Sequence, residues 1–400
     1  MFNIFHYLCA AFLIPKRQIF VIMDLQSAFS QSVSLLERMI AIPSVSREET
    51  SVADMLQEYM ESAGREVRRS GNNLWMVDPC YDVRRPTLLL NAHLDTVKPV
   101  ATWQRPPFTA CREVVTLPDG THEERIYGLG SNDDGASLVT LLHVFLLLTG
   151  EGQREGRNYN LVFLASAEEE VSGRNGIESV LPLLPAIDVA LVGEPTGMQP
   201  AIAEKGLVVL DGIAHGKSGH AARNEGVNAI SLAVEAVGRL QRFRFARESE
   251  MLGPVKVTVT GIQAGTVHNV IPDTCTFMVD CRTTDAYSND EVVAMLRQEV
   301  GKVESPLSGE KPAVELQPRS TRLQPSGIAA AHPLVKRFVA LGRRPFGSPT
   351  LSDQALMRFP SLKIGPGNSA RSHTADEYIV VSEIREALRL YHEALSGLTL

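Results

Sequence analysis

The sequence predicts an α/β fold in which a mainly parallel sheet is interrupted by a second, smaller α/β group. Continuous apolar runs at residues 87–91, 161–165 and 189–192 are the first indication. Such runs are typical of strands that are buried on both faces, as they are in a parallel sheet. A helical apolar pattern at residues 136–148 separates the first run from the second. The alternation of strand and helix therefore favours a parallel sheet covered on both sides.

Two helices are predicted before the first of these strands. Residues 25–40 place apolar side chains on one face at helical spacing, namely Leu25, Phe29, Val33, Leu36 and Ile40. A second helix is expected over residues 50–63, where Gly64 ends it. These helices would cover part of the sheet.

Residues 1–22 are expected to be an upstream extension, with Met23 as the natural start. The apolar run at residues 2–14 is too short to span a bilayer. Its basic pair, Lys16-Arg17, follows the run, whereas a secretory signal has its basic residues first. A short membrane-associated leader is the alternative.

A separate α/β group is predicted after residue 204. Its order of strand, helix, two strands and helix suggests an open sheet with helices on one face, at residues 207–213, 229–240, 255–260, 274–281 and 290–300. The chain then continues with a strand, a helix, a strand and a helix at residues 313–317, 333–341, 362–364 and 382–395. The smaller group is expected to be an inserted, βαββαβ-like α/β domain.

Composition excludes several classes of protein. A chain of 400 residues is too long for one compact core, so two domains are expected. A net charge of -7 without a basic stripe argues against a nucleic-acid partner. The five cysteines lack close-paired spacing, which argues against a disulfide framework and for a reducing cytoplasm. No membrane partner is expected.

Acidic and imidazole side chains follow the predicted strands. His93 and Asp95 are two residues apart, so in an extended segment they point to the same side. Asp95 can therefore accept the second ring N–H of His93, which would fix the tautomer of a metal-binding imidazole. A single His-x-Asp pair is more often structural, and its position after a buried strand is what favours function.

Glycines surround Asp133 in residues 128–135. The segment resembles a dinucleotide-binding loop, but Asp133 replaces the third glycine, where a carboxylate would repel a pyrophosphate. A tight turn that presents Asp133 to a metal ion fits better. Capping of the next helix by Asp133 or Asp134 is the alternative.

Three consecutive glutamates, Glu168, Glu169 and Glu170, follow the strand at 161–165, and Glu194 follows the strand at 189–192. Adjacent carboxylates repel one another and need cations nearby. Because neighbouring side chains point to opposite sides, one glutamate can bind a metal ion while the next moves a proton. A solvated acidic loop is the alternative.

With His373, these side chains form a set of oxygen and imidazole donors suited to a hydrolytic zinc site with an open coordination position. Since His373 joins a set that begins at His93, the end of the chain must return to the first domain. We therefore predict a catalytic domain in two parts, residues 23–204 and 313–400, around an insertion at residues 205–312. Residues 212–218 nearly match a phosphate-binding loop, but the glycine spacing is one residue short.

These motifs, over about residues 87–378, resemble those of the M20 family of metallopeptidases and deacylases. The resemblance implies one metal ion held by His93 and Glu194 and another held by Glu170 and His373. It also implies that Asp133 bridges the two ions and that Glu169 is the general base. The ions are expected to be zinc, with cobalt or manganese as alternatives. The peptide between Asp133 and Asp134 is expected to be cis.

The insertion also resembles that of the M20 family. His220 lies in a segment like the family's lid motif, whose histidine reaches the active site of the partner subunit, so a homodimer through the inserted domain is implied. Asn269 and Arg282 lie in segments like those that hold the α-carboxylate of the substrate. Pairing of Arg282 with Asp280 or Asp285 is the alternative.

The expected activity is removal of the acyl group from an N-acyl amino acid, with N-acetylornithine or N-acetylcitrulline as the preferred substrate in arginine biosynthesis. Succinyl-diaminopimelate desuccinylase, dipeptidase and carboxypeptidase activities of the same family are alternatives. One departure concerns the subfamily, because Asp134-Gly135-Ala136 stands where many deacylases have Met-Lys-Gly. A non-catalytic metal-binding scaffold would be expected to lack a ligand or the base, and none is missing.

Overall fold

The computed structural model describes residues 23–150, 157–223, 225–307 and 312–400. The extension or leader expected at residues 1–22 lies outside these ranges. Among the described helices, none combines the length and apolar character that a membrane crossing requires.

The helices and strands of the described ranges are numbered in chain order. The helices are α1 (Leu25–Ile40), α2 (Thr50–Ser62), α3 (Ala136–Leu148), α4 (Ile177–Val180), α5 (Ala229–Arg242), α6 (Asn289–Val300), α7 (Pro333–Ala340) and α8 (Val381–Ser396). The strands are β1 (Arg68–Ser70), β2 (Asn73–Val77), β3 (Thr87–His93), β4 (Cys111–Thr116), β5 (His122–Tyr127), β6 (Asn160–Ser166), β7 (Val189–Val192), β8 (Ala201–Glu204), β9 (Gly206–His215), β10 (Gly219–His220), β11 (Lys256–Ala264), β12 (Val270–Ile271), β13 (Thr274–Thr283), β14 (Val314–Pro318), β15 (Ser326–Gly327), β16 (Phe346–Ser348), β17 (Ser361–Lys363) and β18 (Tyr378–Val380).

The larger sheet has the order β1-β2-β6-β3-β7-β17-β8-β15, and β16 also pairs with β8. Its central strands β6, β3, β7 and β17 run parallel, and antiparallel pairs occur toward the edges. The predicted mainly parallel sheet is confirmed. Because parallel strands end at the same edge, the residues that follow β6, β3 and β7 share one side of the sheet.

Hydrophobic cores lie on both faces of this sheet. Leu88 and Leu90 belong to one core, whereas Leu89 belongs to the other, because successive side chains of a strand point to opposite faces. The first core contains α3, whose residues are all buried between the sheet and the helices α1 and α8. The strands β3, β6 and β7 are buried along their whole length, which explains their continuous apolar sequence.

The inserted group is an antiparallel sheet of order β11-β13-β9-β14, with α5 and α6 packed on one face around a separate core. The predicted boundary at residue 312 is wrong for the last strand. Val314–Pro318 pairs with β9, from Val314 opposite Ala214 to Pro318 opposite Leu210. Val314 and Leu316 are buried in the core of this smaller sheet, so the strand completes the insertion before the chain returns.

A further small sheet has the order β18-β5-β4. It was not predicted, because β4 and β5 are largely exposed and rich in charged residues. Its position matters, since β5 leads into the turn that carries Asp133, and the loop that carries His373 leads into β18.

Candidate metal centre

Most of the predicted ligands lie where parallel strands end. His93 is the last residue of β3. Glu169 and Glu170 follow the end of β6, and Glu194 follows the end of β7. Since β6 and β7 are the two neighbours of β3, the topology brings these side chains to one edge of the sheet.

Asp133 reaches the same place from a tight turn at Ser131–Gly135. Gly130 precedes this turn with φ 77, and a Cβ there would lie 2.6 Å from a methyl carbon of Thr96, so the turn needs glycine. The expected cis peptide between Asp133 and Asp134 is present. Helix α3 begins after Gly135 without a side-chain capping bond, so the capping alternative is not supported.

The two imidazoles face different oxygens of Asp133. His93 Nε2 lies 3.2 Å from Asp133 Oδ1, and His373 Nε2 lies 3.7 Å from Asp133 Oδ2. Glu170 Oε2 is 3.0 Å from His373 Nε2, and Glu169 Oε2 is 3.9 Å from His93 Nε2. Asp133 therefore lies between two nitrogen donors, each with a glutamate close by.

Two groups of donor atoms within this cluster are compact enough to hold a metal ion. The donors in each group lie within 4.8 Å of one another, in the sets His93, Glu169, Glu194 and His93, Asp133, Glu170. Carboxylate oxygens and imidazole nitrogens are the donors that zinc prefers in hydrolytic sites. The residues therefore fit a divalent metal ion.

The electrostatics of the cluster also favour a cation. Burial raises the pKa of Glu169 and of Glu194 well above the usual range, and neighbouring carboxylates add to the effect. Burial opposes ionisation of Asp133 as well, but hydrogen bonding to His93 lowers its pKa. Several buried carboxylates in one place are unfavourable as anions unless positive charge lies nearby.

Asp95 supports the cluster in a way that the sequence indicated only in part. His93 Nδ1 is 2.9 Å from the backbone oxygen of Asp95 and 3.5 Å from its carboxylate, so the carbonyl is the nearer partner. The Asp95 carboxylate instead accepts the backbone N–H groups of Glu169 and Glu170, at 3.0 and 3.2 Å, and the hydroxyl of Ser46. Asp95 thereby orients both the imidazole and the glutamate loop.

The three consecutive glutamates point in different directions. Glu168 adopts φ 54 and its carboxylate accepts the side-chain amide of Asn175 at 2.9 Å. Of these three glutamates, only Glu169 and Glu170 have carboxylates within 4.0 Å of a histidine of the cluster. The structure therefore places the carboxylates of Glu169 and Glu170, and not that of Glu168, beside the histidines.

Sequence reasoning missed two buried carboxylates behind the cluster. Asp353 accepts the hydroxyl of Ser166 at 2.5 Å, and burial raises its pKa to about 6. Glu377 accepts backbone N–H groups of the turn that carries Asp133. Neither follows a strand of the larger sheet directly, so the pattern that indicated the other acids could not find them. For Glu377, the available signal was its place four residues after His373.

The predicted substrate-binding residues Asn269 and Arg282, and the predicted catalytic residue His220, lie in the insertion. His220 is in β10, which pairs with β12, and Ala221 N donates to the backbone oxygen of Asn269 at 3.0 Å. Arg282 is on β13, 34% exposed, and bonds Asp280 through two N–H groups at 3.0 and 3.2 Å. The structure thus brings the segments of His220 and Asn269 together, and the pairing with Asp280 considered from the sequence is present.

The sequence of this chain is similar to those of known proteins of one family. The family model "Peptidase family M20/M25/M40" matches residues 89–397. An acetylornithine deacetylase of Klebsiella pneumoniae is 25% identical over 385 residues, covering 91% of this chain and 96% of that protein. A succinyl-diaminopimelate desuccinylase of a Caulobacter species is 28% identical over 387 residues, covering 92% and 95%.

The fold is also similar to that of a solved structure from this family. A dinuclear metal-binding peptidase of Bacillus subtilis from the M20 family superposes with a TM-score of 0.70 at 15% identity, covering 93% of this chain and 98% of that one. At this level of identity the likeness concerns the fold, whereas the family model matches most of the sequence. This chain is a member of peptidase family M20/M25/M40, and it is a hydrolase that acts on amide bonds.

Proposed function

We propose that this protein removes the acyl group from an N-acyl amino acid in a reaction that depends on two divalent metal ions. The observation that carries the proposal is Asp133, whose two oxygens face two imidazoles with Glu169 and Glu170 beside them. One carboxylate between two nitrogen donors is the arrangement that a bridging ligand requires. Zinc is the proposed metal, with cobalt and manganese as alternatives.

The residues divide into two sets of ligands. His93 and Glu194 would hold one ion, Glu170 and His373 the other, and Asp133 would contact both. When bound, such ions polarise the amide carbonyl and make water a better nucleophile at neutral pH. The raised pKa of the buried Glu194 supports a cation at this position.

Glu169 is the proposed general base. It follows β6 beside Glu170, and its backbone N–H is held by Asp95, which fixes the loop. A carboxylate in this place can take a proton from the attacking water. The same group then returns the proton to the leaving amine.

The insertion is proposed to supply the recognition of the substrate. Arg282 presents a guanidinium on the face of β13 that does not contact the helices, where it would meet the α-carboxylate together with Asn269. On binding, Arg282 would release Asp280 and pair with the α-carboxylate of the substrate instead. His220, on the exposed segment β10, would stabilise the developing oxyanion in the partner subunit.

A homodimer through the insertion is supported by two features of its surface. The strand β11 forms an edge of the smaller sheet and has β13 as its only neighbour among the described strands. Beside it, α5 exposes Ile230 and Val234, which are one helical turn apart and 37% and 58% exposed. An open strand edge next to an apolar helical surface is suited to pairing with a second copy.

The substrate is proposed to be N-acetylornithine or N-acetylcitrulline. The similarity to an acetylornithine deacetylase supports this choice, and the similarity to a succinyl-diaminopimelate desuccinylase makes N-succinyl-diaminopimelate the second candidate. A dipeptidase activity would use the same catalytic residues, and the superposition on a peptidase keeps it as a third candidate.

A substrate panel tests the proposal. Purified full-length protein loaded with zinc is given N-acetylornithine, N-acetylcitrulline, N-succinyl-diaminopimelate and unblocked dipeptides, and release of the free amine is measured. We expect the highest kcat/KM with one of the N-acyl amino acids, and a kcat about 10²- to 10⁴-fold lower for Glu169→Gln with that substrate. Preference for unblocked dipeptides would overturn the proposed deacylase activity, although the hydrolytic site would stand.

A further inference from the structure

We propose that Glu377 and Asn132 form a clasp that positions Asp133 relative to His373 and thereby sets the affinity for the second metal ion, the one that Glu170 and His373 would hold. The inference rests on the proposed two-metal site. Both are positioning residues, because they act through the loops that carry the ligands. The clasp consists of side chains that join residues 130–133 to residues 368–377.

Glu377 holds the turn of Asp133 through its carboxylate. One oxygen accepts the backbone N–H groups of Asn132 and Asp133 at 2.8 and 2.9 Å, and the other accepts that of Gly130 at 3.3 Å. The backbone oxygen of Glu377 also accepts the N–H of Gly128 at 3.0 Å. The side chain is buried at 2% exposure, so these bonds are shielded from water.

Asn132 joins the same loops in the opposite direction. Its side-chain oxygen accepts the backbone N–H of Asn368 at 2.9 Å. Its side-chain nitrogen lies 3.2 Å from both the backbone oxygen of Asn368 and the hydroxyl of Ser372. Asn132 is fully buried, and Ser372 directly precedes His373. Each loop therefore inserts a buried polar side chain into the backbone of the other.

The ligands on these loops depend on the clasp more than the others do. His93 ends a buried strand that is bonded on both sides by neighbouring strands, so the sheet fixes its position. His373 lies in a loop with φ 59, and its side chain is 56% exposed. Asp133 also lies in a turn. The clasped loops would supply two ligands of the second metal ion, Asp133 and His373, but only Asp133 to the first ion.

A carboxylate at position 377 has a specific chemical role. Both of its oxygens accept hydrogen bonds, and both are needed to provide partners for the three N–H groups of the turn. Glu377→Gln keeps the size but turns one oxygen into an NH2 group that faces backbone donors, so at least one N–H of the turn loses its partner. The turn can then shift away from His373 without loss of the sheet.

The test measures the binding of Zn²⁺ alone to the metal-free full-length protein, by competition with a chromophoric chelator that resolves the two equivalents. For Glu377→Gln we expect the second equivalent to bind about 10- to 100-fold more weakly, as is usual when a partner behind a ligand is lost, and the first equivalent to change much less. Equal weakening of both equivalents, or of neither, would overturn the clasp. Glu393→Gln, on the exposed surface of α8, is the matched control and should bind as the wild type does.

Asn132→Asp is a second variant that tests the clasp if Glu377→Gln does not fold. This change removes the N–H donors to Asn368 and Ser372 but retains the acceptor, and the same selective weakening of the second equivalent is expected. An unchanged second equivalent in a folded Asn132→Asp protein would contradict the inference. If the wild type itself binds fewer than two ions, the proposed function fails, and that result is distinct from the failure of the clasp.

Discussion

Exchanging Glu169 and its neighbour Glu170 for glutamine should separate proton transfer from metal binding. Glu169→Gln keeps the size of the side chain but removes the proton acceptor. General base catalysis contributes about 10²- to 10⁴-fold, so we expect kcat to fall by that factor, or about 3–5 kcal/mol in the barrier. The ligands of both proposed ions remain, so the protein should still bind two.

Glu170→Gln should behave differently because the Glu170 carboxylate is 3.0 Å from His373 and belongs to the second set of ligands. We expect this variant to lose one ion as well as activity. Metal content by atomic emission, measured beside the rate of amine release, separates the two outcomes. Glu393→Gln serves as the control. Loss of metal from Glu169→Gln with retention in Glu170→Gln would refute the assignment, and Glu169 would then be a ligand, as its place beside His93 and Glu194 permits.

Three other predictions concern recognition, assembly and stability. Arg282→Ala should lower kcat/KM for an acid substrate roughly 30-fold, or about 2 kcal/mol in activation free energy. This is the low end for truncating a charge pair, because the side chain is 34% exposed. The corresponding amide substrate should lose much less, and equal losses for the two substrates would mean that Arg282 is structural. Mixing His220→Ala with Glu169→Ala should restore activity after subunit exchange, and no recovery would contradict action across a dimer. Burial lowers the pKa of His143 from 6.5 to about 4, so the stability it contributes is present above pH 6.5 and lost as the pH falls toward 4. Between pH 7 and pH 5 the free energy of unfolding should therefore fall by about 2 kcal/mol on account of His143. In His143→Gln, the fall in the free energy of unfolding over this range, measured by urea denaturation, should be smaller by that amount.

The parallel sheet could be predicted because its strands are buried on both faces, which leaves continuous apolar runs in the sequence. The same logic located His93, Glu169, Glu170 and Glu194, since each follows such a run. Asp133 was found through the glycines of its turn. The insertion was also recognisable as a change in the order of strands and helices.

Other features carry no such pattern. The strand β14 has the alternation of any half-buried strand, and only its pairing with β9 assigns it to the insertion. The strands β4 and β5 are exposed and charged, so their sequence resembles a loop. Glu377 and Asp353 depend on contacts with residues far away in the chain, which local periodicity does not record. From the sequence, Arg282 could pair with the substrate's carboxylate or with a nearby acid, and residue spacing alone does not decide between these partners. The structure shows the pairing with Asp280.

Metal titration of the stripped protein tests the proposed two-metal hydrolytic site, which would be built by His93, Asp133, Glu170, Glu194 and His373. The full-length protein is freed of metal with a chelator, Zn²⁺ is added in steps, and bound metal and hydrolysis of an N-acyl amino acid are measured on the same samples. We predict no hydrolysis without metal, recovery on addition of Zn²⁺, and tight binding that saturates at two ions per chain. Hydrolysis by the metal-free protein, or saturation at fewer than two ions, would contradict a two-metal hydrolytic site.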